Sequence, residues 1–224
     1  MFKHNSAVVE GYGRGGAIDN SGANITIDNS VFIDNFAYNE GGVIISYGGN
    51  LNVMGSSFIN NSAHDCGDVI YSNSSIVVNP SFVGNFAHDC GGAISSNNSI
   101  IINPNFTNSY AQVYGGAISS YGGGDLIVEG SNFVGNFAHD CDSAIYNKDD
   151  LFIVSNPSFI NNSAIINGEA ISNYADDFVI ENNNTFDNNN ATTSRDIYNY
   201  VANTKLISND VSMLFKDGTR FVAI

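Results

Sequence analysis

Hydrophobic residues recur along this chain in short alternating runs that are separated by Gly, Asn, Ser and Asp. The most regular run is the phrase F-x-x-N, which begins at positions 2, 32, 58, 82, 106, 133, 159 and 186. Only the copy at position 106 breaks the phrase, with Ser109 in place of the Asn. An Ala lies two residues after the Asn position in every copy, and a block of the type Gly-Gly-Ala-Ile follows it. A further apolar run, as at 51–53 or 126–128, completes each repeat.

This repeat predicts a parallel β-solenoid. Short runs rich in Phe, Ile and Val and bounded by turn residues are typical of strands, and the chain has no segment with helical periodicity. Successive Phe residues are 24 to 30 residues apart, and each interval contains three apolar runs. Three apolar runs per interval suit one coil of a solenoid, in which every strand pairs with its equivalents in the neighbouring coils. We therefore predict an all-β, single-stranded parallel β-helix of about eight coils with three short strands per coil.

The repeated residues have structural roles in this prediction. The Phe side chains point inward and stack as a column, and the Asn at the following bend bonds to the Asn of the next coil and tolerates left-handed backbone. The Gly-Gly pair suits a corner that needs positive φ or a close approach of two backbones. The residues assigned to this scaffold are Phe32, Asn35, Gly41, Gly42, Phe58, Asn61, Phe82, Asn85, Gly91, Gly92, Gly115, Gly116, Phe133 and Asn136.

The repeat continues without a linker, which predicts one β-helix domain over residues 1–208. The chain begins inside an F-x-x-N phrase, with neither a cap over the first coil nor a signal peptide, so we expect it to be a fragment of a longer protein. Residues 209–224 have the pattern of two strands around a Lys-Asp-Gly turn. We predict that they form capping strands or the truncated start of another module.

The charge balance excludes some partners. Seven basic residues against 22 acidic residues give a net charge of -15, which opposes binding to nucleic acid and to anionic membranes. No apolar run approaches the roughly 20 residues that a spanning helix needs, so we expect no direct membrane insertion. Only 13% of the residues are charged, and the polar surface must therefore consist mainly of amides and hydroxyls.

The phrase Ala-His-Asp-Cys occurs three times and contains all three cysteines. His64, Cys66, His88 and Cys90 lie in adjacent coils, where they could form a metal site or a Cys66–Cys90 disulfide. A third interpretation is duplication of turn residues, because residues 82–90 and 133–141 are identical. We favour the third interpretation and predict neither a metal nor another cofactor.

The residue after each Phe should point outward, because successive side chains of a strand alternate between its two faces. In most copies it is β-branched, which predicts an exposed apolar stripe. The stripe consists of Ile33, Ile59, Val83, Val134 and Ile160, and Phe36, Phe86, Tyr110 and Phe137 would widen it. Such stripes commonly contact a partner or the rest of a parent protein.

Catalysis on a β-helix needs acidic residues clustered across neighbouring coils. Asp65 and Asp89 lie in adjacent coils but belong to the duplicated phrase, so we predict no catalytic residue.

The paired phrases F-x-x-N and G-G-A-I resemble the repeat of the chlamydial polymorphic membrane proteins. The Asn- and Ser-rich version resembles the adhesin-like surface proteins of methanogenic archaea, from Phe2 to about Tyr198. This resemblance implies a right-handed β-helix at the cell surface, or secreted, that adheres to other cells, host proteins or glycans. It also implies that an immunoglobulin-like module begins near residue 215. The signal and the anchor would lie outside this chain. The alternative is a carbohydrate-active β-helix enzyme of the polysaccharide lyase or glycosidase type.

Overall fold

The computed structural model describes residues 1–9, 11–66, 69–140, 144–166, 170–192, 196–200, 203–207 and 220–223. These residues form an all-β parallel solenoid of about seven turns. No residue within these ranges is helical, and none of their segments could cross a membrane as a long apolar helix. The predicted all-β parallel β-helix is confirmed, but it has about seven turns where about eight coils were predicted, because the eight copies of the Phe strand delimit seven turns.

Each turn contributes one strand to each of four parallel sheets, which we name A to D in the order in which the chain meets them. The strands of sheet A are Phe2–Lys3, Val31–Ile33, Ser57–Ile59, Ser81–Val83, Asn105–Thr107, Asn132–Val134, Ser158–Ile160 and Thr185–Asp187. The strands of sheet B are Ser6–Ala7, Phe36–Ala37, Ser62–Ala63, Phe86–Ala87, Tyr110–Ala111, Phe137–Ala138 and Ser163–Ala164.

Sheets C and D follow the Gly-Gly corner. The strands of sheet C are Ile18–Asn20, Ile44–Ser46, Ile70–Ser72, Ile94–Ser96, Ile118–Tyr121, Ile145–Lys148, Ile171–Asn173 and Ile197–Asn199. The strands of sheet D are Ile25–Asp28, Leu51–Met54, Ser75–Val78, Ser99–Ile102, Asp125–Glu129, Leu151–Ser155, Asp177–Glu181, Asn203–Ile207 and Arg220–Ala223.

The prediction of three strands per coil was wrong, because sheet B forms a fourth side. The chain bends between sheets A and B at a residue with left-handed backbone, such as Asp34 or Asn60, both at φ 52°. This residue precedes the Asn of F-x-x-N, so the expectation that the repeated Asn itself uses left-handed backbone was also wrong. Gly84, at φ 62°, takes the same position in another coil.

The core consists of columns of identical or similar side chains. From Phe32 to Phe159 the Phe side chains of sheet A are fully buried, and their consecutive rings stack with centroids 4.6 to 5.0 Å apart. This spacing follows from the distance between paired strands. An Ile column of sheet C, which includes Ile94 and Ile118, and a Val and Ile column of sheet D complete the core. The predicted Phe and Ile columns are thus confirmed.

The Asn ladder at the bend after sheet A is also confirmed. Asn35 Nδ2 donates to Asn61 Oδ1 at 2.8 Å, and Asn61 Nδ2 donates to Asn85 Oδ1 at 3.1 Å. The ladder resumes between Asn136 and Asn162, where the same bond is 3.0 Å long. Between these segments lies Ser109, whose buried hydroxyl has no hydrogen-bond partner among the described residues.

Both reasons proposed for the Gly-Gly corner are found in the structure. Gly91, the first residue of its pair, has a φ of 68°, and Gly41 and Gly115 have similar values of 62° and 59°. At the second residue, a Cβ atom added to Gly92 would overlap the carbonyl oxygen of Gly116 in the next coil. This corner therefore requires one glycine for its backbone conformation and another for the approach of neighbouring coils.

Most of the predicted C-terminal segment, residues 209–219 and 224, lies outside the described residues. Arg220–Ala223 pairs in parallel with Asn203–Ile207 and extends sheet D by one strand. The boundary at residue 208 and the identity of the segment as capping strands or as the start of another module stay predictions.

Candidate binding surfaces

The predicted apolar stripe lies in one column on the outer surface of sheet A. Ile33 pairs with Ile59 and Ile59 with Val83, and Thr107 continues the column to Val134 and Ile160. These side chains are half-buried to exposed, with 36% of Val83 accessible. Each follows an inward Phe on the same strand, which is why it faces outward.

The predicted aromatic extension of this stripe forms the neighbouring column, on the outer surface of sheet B. The rings of Phe86 and Tyr110 stack with centroids 5.0 Å apart, and those of Tyr110 and Phe137 are 5.4 Å apart. Phe86 is 42% exposed. Ser62 takes this position in one coil and separates Phe36 from the other aromatic residues. We refer to the two columns on sheets A and B together as the apolar face.

A column of imidazole rings follows sheet B. The rings of His64 and His88 stack with centroids 5.0 Å apart, and Tyr38 stacks on His64 at the same distance. The Nδ1 atoms of His64 and His88 each lie 3.0 Å from the carboxylate of the next residue, Asp65 or Asp89. These histidines are therefore held at the surface by their neighbours in the chain.

Cys66 and Cys90 form a disulfide between adjacent coils, with their Cα atoms 4.7 Å apart. The sequence analysis favoured turn residues repeated by duplication, and for Cys66 and Cys90 this preference was wrong, because the structure contains the disulfide. With both sulfurs in this bond, His64 and His88 have no thiolate beside them to complete the postulated His2Cys2 site. Within the described ranges, no group of three or more His, Cys, Asp or Glu side chains is arranged to hold a metal ion. Cys141 lies outside the described residues.

A second surface, which the sequence analysis missed, is the outer side of sheet C. One column of this sheet contains Tyr71, Ser95, Ser119, Tyr146 and Ser172 in successive coils. Their strand neighbours Ile94 and Ile118 belong to the core, so the column faces away from the core. Its tyrosines are half-buried, and its three serines are fully buried. A sequence signal existed: eight of the 11 tyrosines lie in the Gly-Gly-Ala-Ile block or beside it, namely Tyr47, Tyr71, Tyr114, Tyr121, Tyr146, Tyr174, Tyr198 and Tyr200.

An open groove of about 630 Å³ lies on this side of the molecule, and we call it the tyrosine groove. Its walls include Tyr114, Tyr121 and Tyr146, with Cys90, Lys148 and the glycines at 122 and 123 completing the lining. The rings of Tyr114 and Tyr146 stack with centroids 4.8 Å apart. The groove is therefore mainly aromatic, with hydroxyl groups and one ammonium group as its polar components.

A buried carboxyl lies behind the glycine turn of the groove. Asp149 is only 2% exposed, and its Oδ1 accepts the backbone N–H of Gly123 at 3.2 Å. Burial raises the pKa of Asp149 to about 6, although hydrogen bonds from Ser120 and Gly123 lower it. Ser120 Oγ contacts both Asp149 Oδ2 and the carbonyl oxygen of Ser96. One hydroxyl has one proton, so only a protonated Asp149 allows both contacts to be hydrogen bonds.

No family model, no curated protein and no solved structure matches this chain. The assignment of its surfaces therefore depends on the arrangement of the side chains described above.

Proposed function

We propose that this chain is the binding domain of an adhesin-like protein, located at the cell surface or secreted, and that it has no catalytic activity. The observation that carries the proposal is the apolar face, where β-branched and aromatic side chains stay accessible in successive coils. Exposed apolar surface of this kind commonly contacts a partner. The partner is the surface of another cell, a host protein or a glycan, and the rest of a parent protein is a further contact.

The disulfide supports a location outside the cytoplasm. Disulfides persist in oxidising compartments and are rare where thiols are kept reduced, and Cys66 and Cys90 are joined across two coils. The repeat phrases that resemble those of bacterial and archaeal surface proteins support the same location. A right-handed coil agrees with that resemblance and with the strong preference for right-handed crossovers between parallel strands.

The acidic residues support binding without turnover. Retaining and inverting glycosidases use two carboxyl groups that face each other across the scissile bond. Asp65 and Asp89 lie in adjacent coils, but the carboxylate of each is directed to the histidine before it, with the oxygen and nitrogen 3.0 Å apart. A carbohydrate-active enzyme is the alternative, and the second assay below tests it.

The apolar face can be tested by placing charge on it. The double variant Val83→Lys and Val134→Lys should fold normally, because Lys3 already lies in the same column, paired with Ile33. We expect the variant to lose most of its adhesion to cells with no more than a small change in melting temperature. The matched control is Val83→Thr with Val134→Thr, which copies Thr107 from that column. Unchanged adhesion of the lysine variant would contradict the proposal, and unfolding would show that the column is core.

A second assay separates adhesion from catalysis. The protein is incubated with the polysaccharides of a glycan array, and the length of each polysaccharide is followed over time. We expect the polysaccharides to stay intact. Shortening of any of them, by hydrolysis or by lyase chemistry, would refute the non-catalytic assignment and favour the enzyme.

A further inference from the structure

The tyrosine groove lies where tyrosines of two neighbouring coils come together. In one coil, Tyr114 precedes the Gly-Gly corner and Tyr121 ends the strand of sheet C. Tyr146 and Lys148 lie on the paired strand of the next coil. The serines Ser95 and Ser119 of sheet C are buried and do not belong to the lining.

The chemistry of the lining limits what can occupy the groove. Among the described residues that line it, none is acidic and Lys148 is the only cation, so it lacks the ligands of a cation site. The net charge of -15 repels anionic polymers from the molecule as a whole. The tyrosines combine an apolar ring with a hydroxyl that can donate and accept hydrogen bonds. An uncharged occupant with apolar faces and polar edges matches this lining.

The aromatic surface continues beyond the groove along the axis of the solenoid. The ring of Tyr174 lies 5.6 Å from that of Tyr146 and 5.5 Å from that of Tyr200. Tyr200 is 72% exposed. The tyrosines from Tyr146 to Tyr200 therefore span two further coil steps, about 10 Å at the usual strand spacing. A track of this length suits an extended chain of rings better than a single small molecule.

We infer that the tyrosine groove and the track beyond it bind a linear, neutral glycan chain that runs parallel to the solenoid axis. Sugar rings present C–H groups on their faces, which contact the electron-rich faces of Tyr114, Tyr121 and Tyr146. Their hydroxyls, at the ring edges, exchange hydrogen bonds with the tyrosine hydroxyls and accept from Lys148. This inference rests on the proposed binding function and adds to it a second surface and a ligand class.

The groove is well supported, which favours affinity because little ordering is needed on binding. Cys90 belongs to both the lining and the disulfide, so this part of the lining is covalently joined to the preceding coil. Elsewhere in the lining, the Gly123 N–H donates to the buried Asp149.

The repeat supplies substitutions that the fold already accommodates. Tyr146→Ser copies the serines of the same column, Ser119 and Ser172. Tyr121→Asn copies Asn97, which follows the paired strand of the preceding coil. Tyr38→His is the control, because Tyr38 lies at the corner after sheet B and His64 stacks on it. Each variant is checked by thermal unfolding and is then titrated calorimetrically with linear glucose and N-acetylglucosamine oligosaccharides of increasing length, and with uronate chains.

We expect neutral chains to bind with an affinity that increases with chain length. Tyr146→Ser and Tyr121→Asn should each weaken binding by about tenfold or more, as truncation of a central aromatic contact does, and Tyr38→His should leave it unchanged. The inference is overturned if the two groove variants bind like the wild type, if uronate chains bind better than neutral ones, or if no neutral chain binds. Cell adhesion that persists without glycan binding would overturn this inference alone. Loss of adhesion in the apolar-face variant tests the proposed function separately.

Discussion

Ser109 interrupts the Asn ladder, and replacing it with Asn should stabilise the protein. In the intact part of the ladder, the side chain of Asn61 makes four hydrogen bonds to neighbouring coils: it accepts from Asn35 N and Nδ2 and donates to Asn85 Oδ1 and Phe32 O. At the break, Ser109 Oγ is buried without a partner. Within the described part of the chain, the backbone N–H of Asn85 likewise has no acceptor.

The size of the effect follows from these bonds. In the variant Ser109→Asn, the new side chain would accept from Asn85 N and Nδ2 and donate to Asn136 Oδ1 and the Phe82 carbonyl oxygen. Four bonds at about 1 kcal/mol each, less about 1 kcal/mol for the ordering of the side chain, give about 3 kcal/mol of added stability. For a domain of this size, that corresponds to an increase in melting temperature of roughly 6 to 12 °C.

Thermal unfolding of the wild type and two variants tests this reasoning. Asn61→Ser is the matched control, because it places the Ser109 defect in an intact segment; it should destabilise the protein by at least the same amount. A stabilising Ser109→Asn with a destabilising Asn61→Ser supports the ladder as a major source of stability. If Asn61→Ser destabilises but Ser109→Asn has no effect, the reasoning about the break is refuted. If neither variant changes the melting temperature, the hydrogen bonds of the ladder make no net contribution to the stability of the protein.

Two further predictions concern groups that lie close to the tyrosine groove. The ordinary pKa of an aspartate, near 3.8, is raised to about 6 in Asp149, so the folded state favours the protonated form and loses stability as pH rises from about 4 to 6. Asp149→Asn should therefore stabilise the protein by up to about 3 kcal/mol above pH 6 and have little effect below pH 4; an equal effect at both pH values would contradict this. Reduction of the Cys66–Cys90 bond, which closes a loop of 24 residues, should lower the unfolding free energy by about 3 kcal/mol. The variant with both cysteines changed to Ser should not respond to reductant, and a wild type that is also insensitive would refute the stabilising role.

The scaffold was predictable because the residues that build it occur in every coil. Phe82 and Phe106 are both buried because each is the inward residue of a strand of sheet A. The spacing of the phrase is enough to place the two residues in register. Gly91 and Gly92 could be assigned to a corner because their roles follow from backbone geometry alone.

Sheet B and the tyrosine groove could not be predicted by the same reasoning. A strand of sheet B has two residues, and its inward residue is an Ala such as Ala87, so it has no hydrophobic alternation to detect. The groove brings Tyr114 and Tyr121 of one coil together with Tyr146 and Lys148 of the next. These positions differ between coils, and which of them become neighbours is known only once the register of the coils is known.

The environment of a residue in this solenoid is set by the coils before and after it, even where the phrase around it is identical. Asn85 and Asn136 lie at the same position of the two identical nine-residue segments. Asn136 donates to Asn162, whereas Asn85 precedes Ser109 and has lost that bond. Stability is therefore a property of pairs of coils. The same argument applies to binding, because two neighbouring coils share the lining of the tyrosine groove: Tyr114 and Tyr121 belong to one, and Tyr146 and Lys148 to the next. At the position of Tyr121 the neighbouring coils carry Asn97 and Lys148, so the groove is made by residues that depart from the repeat.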